Sequence, residues 1–256
     1  MRRKFFELMS WELRDNWSFP ILEIVVALTV LQALSFTSFG HDYCRIDDSI
    51  LSSFFGNMLF VLVLSAAIVF GRSFGESIEK RKLVVLLSYP VSRVRLFLVK
   101  YLTNSLMLFL VFGLGLLAQG ISLFLFDGVV LPVTWGFAFL YLLLEVFFVS
   151  SLMSFFALAT RRFGLSILIF LVYMFGLQYW IPINLYAPTS YLLLDLASSE
   201  SVGYLETKFY NWLNINHSAG PYVPDICFLT GLVYMLGGGL LLFLASLFIM
   251  KRMDLD

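Results

Sequence analysis

Charged side chains are scarce in this sequence. Asp, Glu, Lys and Arg make up 13% of its 256 residues, where a soluble domain carries about a quarter. The 17 basic and 17 acidic residues cancel, so no net positive field draws the chain to nucleic acid. Histidine occurs twice, at His41 and His217, and cysteine twice, at Cys44 and Cys227. At these spacings they are too few to suggest a zinc site. No G-x-x-x-x-G-K-S/T loop is present to cradle the phosphates of a nucleotide, and no G-x-S-x-G elbow presents a nucleophilic serine. Asp47 and Asp48 form an isolated acidic pair, a thin basis for metal-dependent lipid chemistry. Internal repeats, low-complexity tracts and a second soluble domain are lacking too. The first 19 residues carry several charges and no compact apolar core before a small-residue cleavage site. No cleavable signal is therefore predicted, and the first span is expected to be retained.

What the chain has in excess is apolar surface. It is 60% hydrophobic, with a mean hydropathy of +0.90, more than a water-soluble fold of this length can hide. A membrane-crossing helix needs about 20 mainly apolar residues. Six stretches meet that length: Pro20–Phe39, Leu51–Phe70, Leu102–Phe126, Trp135–Thr160, Leu165–Ile183 and Ile226–Met250. They are continuous and do not alternate with period two, which points to helices and not barrel strands. The expected fold is an all-α membrane protein, one transmembrane domain over residues 1–256, with six transmembrane helices.

Lys and Arg fall between the spans in alternation. Arg2, Arg3, Lys4 and Arg14 precede the first span. Arg72, Lys80, Arg81, Lys82, Arg93, Arg95 and Lys100 separate the second and third. Arg161 and Arg162 separate the fourth and fifth, and Lys251 and Arg252 follow the sixth. Only Arg45 and Lys208 lie on the other side. By the positive-inside rule the rich side is cytosolic, so both termini and the loop Gly71–Tyr101 are expected inside and the loop Asn184–Asp225 outside. Cys44 and Cys227 then share the outer side, where a disulfide is chemically allowed. The sequence leaves their pairing open. Asn216-His217-Ser218 is a glycosylation sequon on that same side.

Residues 1–19 are amphipathic. At 100° per residue Phe5, Phe6, Met9, Leu13 and Trp17 share a sector, with Arg3, Lys4, Glu7, Arg14 and Asp15 opposite. This predicts a helix lying in the membrane interface against lipid headgroups. Trp11 falls on the polar side. Within the spans Glu145 stands out, because a carboxylate at mid-membrane costs about 3 kcal/mol on insertion scales. Two readings stand together: a substrate-path or ion-coupling group, or a protonated or hydrogen-bonded carboxyl that locks two helices. Glu23, three residues from Pro20, is expected to snorkel at the inner interface.

The stretch from Glu76 to Leu102 is the most informative. Leu83 to Leu87 form an apolar cluster too short to cross a membrane. Pro90 breaks the helix before it, and Ser92 is placed to cap a new helix running through Arg93 and Arg95 into the third span. Leu86, Leu87, Ser88, Pro90, Val91, Ser92 and Arg93, with Lys100 opening the third span, resemble the corresponding motif of the ABC-2 type permeases. Arg81-Lys82 stands where that family commonly has Gly-Thr, and Val99 where it has Gly. The interfacial N-terminal helix, the basic turn at Arg161–Gly164 and the long outer loop resemble the family plan as well.

The resemblance implies the membrane subunit of an ATP-binding-cassette exporter in the cell membrane. It implies pairing with a second permease copy or homologue, and with separately encoded ATPase subunits. ATP and Mg would bind in those partners, and this chain would hold no cofactor. It further implies that Glu79–Tyr89 is a coupling helix against the ATPase, Leu86 and Leu87 its apolar knobs, Glu79, Lys82 and Arg93 its charged rim, and Pro90 its stop. The second and fifth spans of the family border its dimer interface, which makes Asn57, Tyr173 and Gln178 path candidates beside Glu145. Two other classes stay in view: a secondary transporter or channel without ATPase partners, for which inverted repeats or a broken helix pair are not apparent, and an intramembrane enzyme.

Overall fold

In the computed structural model of the protein the described residues are 2–17, 23, 26–27, 61–83, 86, 92–127, 132–176 and 234–253. Apart from residues 23 and 26–27, the expected first span lies outside them, as do the outer loop and both cysteines. The described residues are helical, with no strand among them. We label the helices α1 (Arg2–Trp17), α2 (Val61–Glu79), α3 (Arg93–Asp127), α4 (Pro132–Thr160), α5 (Phe163–Leu171) and α6 (Gly239–Arg252). Among the described residues 4 helices are long and apolar enough to cross a membrane: those containing Val61–Glu79, Arg93–Ile121, Leu142–Thr160 and Met235–Arg252.

Helix α2 does not stop at Phe70, where polarity first rises. It passes through a π-helical stretch, Gly71–Glu76, and ends at Glu79. The continuation follows from close packing. A Cβ on Gly71 would meet Met153 at 3.1 Å and Phe163 and Ile167 at 3.3 Å, and one on Gly75 would meet the Phe163 backbone at 3.1 Å. Two glycines four apart let helix backbones approach in this way, and the extra residue of a π turn is a common feature of functional helices.

Helix α3 begins as Ser92 dictates. Its hydroxyl accepts a hydrogen bond from the Arg95 amide at 3.3 Å, which meets one of the donors left unpaired in a first turn. At about 1.5 Å per residue its 35 residues extend for about 52 Å, well beyond a hydrocarbon core of about 30 Å. One face buries Phe97, Leu108, Phe112 and Leu116, while Leu102, Leu106, Leu110, Leu114, Leu117 and Ile121 stay exposed. An outer face of leucine spaced by three and four residues is what lipid solvates.

An aromatic cluster joins α2, α3 and α6. Tyr101 lies edge-on to Phe243 at 4.8 Å and to Phe70 at 5.9 Å, and Phe97 tilts against Phe74 at 5.6 Å. Each such pair adds about 0.5–1.5 kcal/mol beyond area burial. The Tyr101 hydroxyl is 2.8 Å from Ser151 Oγ on α4, so the polar tip of a buried ring has its partner. Of the glycine run near the start of α6, Gly239 carries the packing. A Cβ there would sit 2.7 Å from Phe147, whereas Gly237 faces open space.

Candidate functional site

The ends that carry most of the basic residues meet. Three contacts fix this arrangement, and each joins elements far apart in sequence.

The first is a buried ion pair. Lys100 on α3 places Nζ 2.8 Å from Glu12 Oε2 and 3.1 Å from Oε1 on α1, and both side chains are 3% exposed. Ser73, inside the π stretch of α2, donates its hydroxyl hydrogen to Glu12 Oε1 at 2.5 Å and lies 3.3 Å from Lys100 Nζ. Burying two charges is tolerated only with such mutual pairing and added hydrogen bonds. Lys100 is the lysine of the sequence motif. Glu12 is a functional candidate that the sequence reading missed.

The second contact is made by Glu79, expected at the rim of a partner interface. Its carboxylate accepts a hydrogen bond from the Phe163 amide at 3.1 Å. It thereby caps the first turn of α5, where a negative group also complements the helix dipole. The α2 end and the α4–α5 turn are thus one assembly. The third contact is made by Arg93, another expected rim residue, whose guanidinium donates to the Met253 carbonyl at the end of α6.

Around these contacts lie exposed cations: Lys80, Arg81, Lys82, Arg161 and Arg162. Lys80 pairs with Glu76 at 2.7 Å. Arg81 and Arg161 both adopt φ 56°, a left-handed conformation that side chains other than Gly and Asn seldom take.

The remaining candidates divide. Leu83 is buried, and Leu86 is half-buried, packed partly against the chain's own core. Lys82 is exposed. Leu87, Pro90, Asn57 and Gln178 lie outside the described residues. Tyr173 is tilted against Phe156 at 6.0 Å between ring centres. Glu145 is buried at 2% exposure, and its two carboxylate oxygens have no hydrogen-bond partner among the described residues. Helical periodicity puts it on the same side of α4 as the buried Leu142, Val149 and Leu152. The structure does not bring Glu145 to the basic end. It leaves two separate places of interest, one polar point within the span and one linked set of helix ends.

Compared with known proteins, no curated sequence matches the chain. A family model described as the ABC-2 family transporter protein matches residues 13–177, from within α1 to just beyond the described part of the fifth helical segment. That match takes in more than half of the chain, including Ser73, Glu79, Lys100 and the α4–α5 turn. The chain is a membrane-embedded member of the ABC-2 transporter family.

Proposed function

We propose that this chain is the permease of an ATP-binding-cassette exporter and is driven by separate ATPase subunits that dock on its basic, cytosolic end. Two permease copies, identical or homologous, form the path, and ATP and Mg are held by the partners. The observation that carries this reading is the bond from the Phe163 amide to Glu79, together with the close approach of Gly75 to Phe163. The segment following Glu79 issues from a helix end that is already fastened to α4 and α5. A push on residues 79–90 is therefore delivered to several spans at once, as rigid rocking between inward and outward access requires.

Leu87 is the apolar anchor toward the ATPase in this reading, and Lys82 lies at its exposed rim. Buried anchors carry most of an interface's energy and rim charges little. Leu87→Asp should abolish co-purification with the ATPase while the protein still inserts, and Lys82→Glu should do far less. A Leu87→Asp protein that binds its ATPase and transports at the parent rate would refute the proposal.

A further inference from the structure

The geometry points to Glu12 as a positioning residue for energy coupling: through its buried link to Lys100 and Ser73, helix α1 moves as one body with the end of α2. The inference rests on the permease reading and adds a moving part to it.

Helix α1 was expected to lie in the membrane interface against lipid headgroups, a place where a helix can act as a simple anchor. Its exposed face does carry Phe6 and Leu13, at 65% and 45% exposure. An anchor needs nothing on its inner side beyond apolar packing, and a buried ion pair is no more stabilising there than well-packed hydrophobic residues. What the pair adds is register. Lys100 Nζ reaches both oxygens of one carboxylate, and one of these also accepts from Ser73. A slip of α1 by a single residue would take Glu12 out of that place and leave Lys100 buried and unpaired.

Ser73 decides which motion is shared. It lies in the six-residue π stretch that also contains Gly71 and Gly75. The two glycines meet Phe163 and Met153, while Ser73 meets Glu12 and Lys100. One short stretch of backbone thus touches α4 and α5 through its glycines, and α1 and α3 through its serine. It ends three residues before Glu79, where the proposed ATPase-contacting segment begins. Displacement of that segment is passed to α1 through Ser73 and Glu12.

The test uses spin labels on cysteines at Ser10 and Arg161, both exposed, with Cys44 and Cys227 replaced by Ser, in lipid nanodiscs. The permease alone should show one narrow distance. Glu12→Gln should lose that single peak, and the exchange Glu12→Lys with Lys100→Glu should restore it. An unchanged narrow peak in Glu12→Gln overturns the link.

A second label pair, Ser10 with Leu125 at the far end of α3, is measured in the complex with its ATPase, with and without ATP and vanadate. The parent distance should shift on trapping. Glu12→Gln should keep its ATPase and lose the shift, which a merely stabilising residue would not produce. A shift that persists in Glu12→Gln, or none in the parent, overturns the transmission. A chain that binds no ATPase removes the permease reading instead, and the first label pair still decides whether α1 is locked.

Discussion

A methyl group placed on Gly75 would sit 3.1 Å from the Phe163 Cα and 3.2 Å from its nitrogen. The obstructing atoms are backbone, which cannot rotate aside as a side-chain tip can. Gly75→Ala must therefore part α2 from α5 by a few tenths of an ångström and weaken the Glu79 cap with it. The expected loss is about 1–3 kcal/mol, the usual range for overpacking. Gly164, on the same turn of α5, has nothing within 4 Å of its would-be Cβ. Gly164→Ala should be neutral or gain up to about 1 kcal/mol from helix propensity. Thermal unfolding of the solubilised protein checks both, and equal midpoints for the two variants would show that the contact is not tight.

Arg161 ends α4 in the left-handed region. Its amide bonds to the Ala157 carbonyl at 3.1 Å, and Thr160 Oγ1 donates to Phe156 O at 2.8 Å. A left-handed residue costs about 1–2 kcal/mol unless it is Gly. Arg161→Gly should raise thermal stability, and Arg161→Val, branched at Cβ, should lower it. Arg81 has the same φ and should respond in the same order. If neither glycine variant is more stable than the parent, the strain is offset elsewhere in the turn.

Glu145 has a buried carboxyl group without a hydrogen-bond partner among the described residues. Leaving such a group unsatisfied costs about 1–3 kcal/mol. Glu145→Leu should therefore raise thermal stability. Glu145→Gln should insert and assemble like the parent. If the carboxyl acts in the substrate path, both variants lose transport while remaining assembled. A Glu145→Leu protein that is less stable than the parent would show that the carboxyl has a structural partner.

The legible parts of this protein are those written in local pattern. Ser92 announced the start of α3 because a cap acts within one turn, and the 3.6-residue period of residues 2–17 announced α1. The end of α2 was not legible from polarity, since Arg72, Ser73 and Glu76 read as loop. The helix persists there because Gly71 and Gly75 pack on α5 and Ser73 meets an ion pair. The spacing of those two glycines was the available signal. Glu12 was hidden for a different reason: its partner is 88 positions away, and nothing local marks a carboxylate that will be buried. The lysine offered a clue, standing amid Phe97, Leu98, Val99 and Tyr101 where no solvated cation belongs.

Orientation rests on the basic residues and admits a direct test. The structure gathers the ends of α2, α4 and α6 with the starts of α3 and α5, so a label at any of these ends reports on all. Ser77 is a poor position, being only 7% exposed, since a buried thiol is unreactive whichever side it faces. Lys80 is suitable, with its side chain 62% exposed. With Cys44 and Cys227 replaced by Ser, Lys80→Cys and Ser199→Cys are compared in intact cells using a membrane-impermeant thiol reagent. Ser199→Cys should label at once, and Lys80→Cys only after the membrane is permeabilised. Loss of the Lys80 pairing with Glu76 should not disturb the fold, because an exposed pair contributes about 0–1 kcal/mol. Labelling of Lys80→Cys in intact cells, with Ser199→Cys protected until permeabilisation, would place the basic end outside. It would also remove the docking site for a cytosolic ATPase.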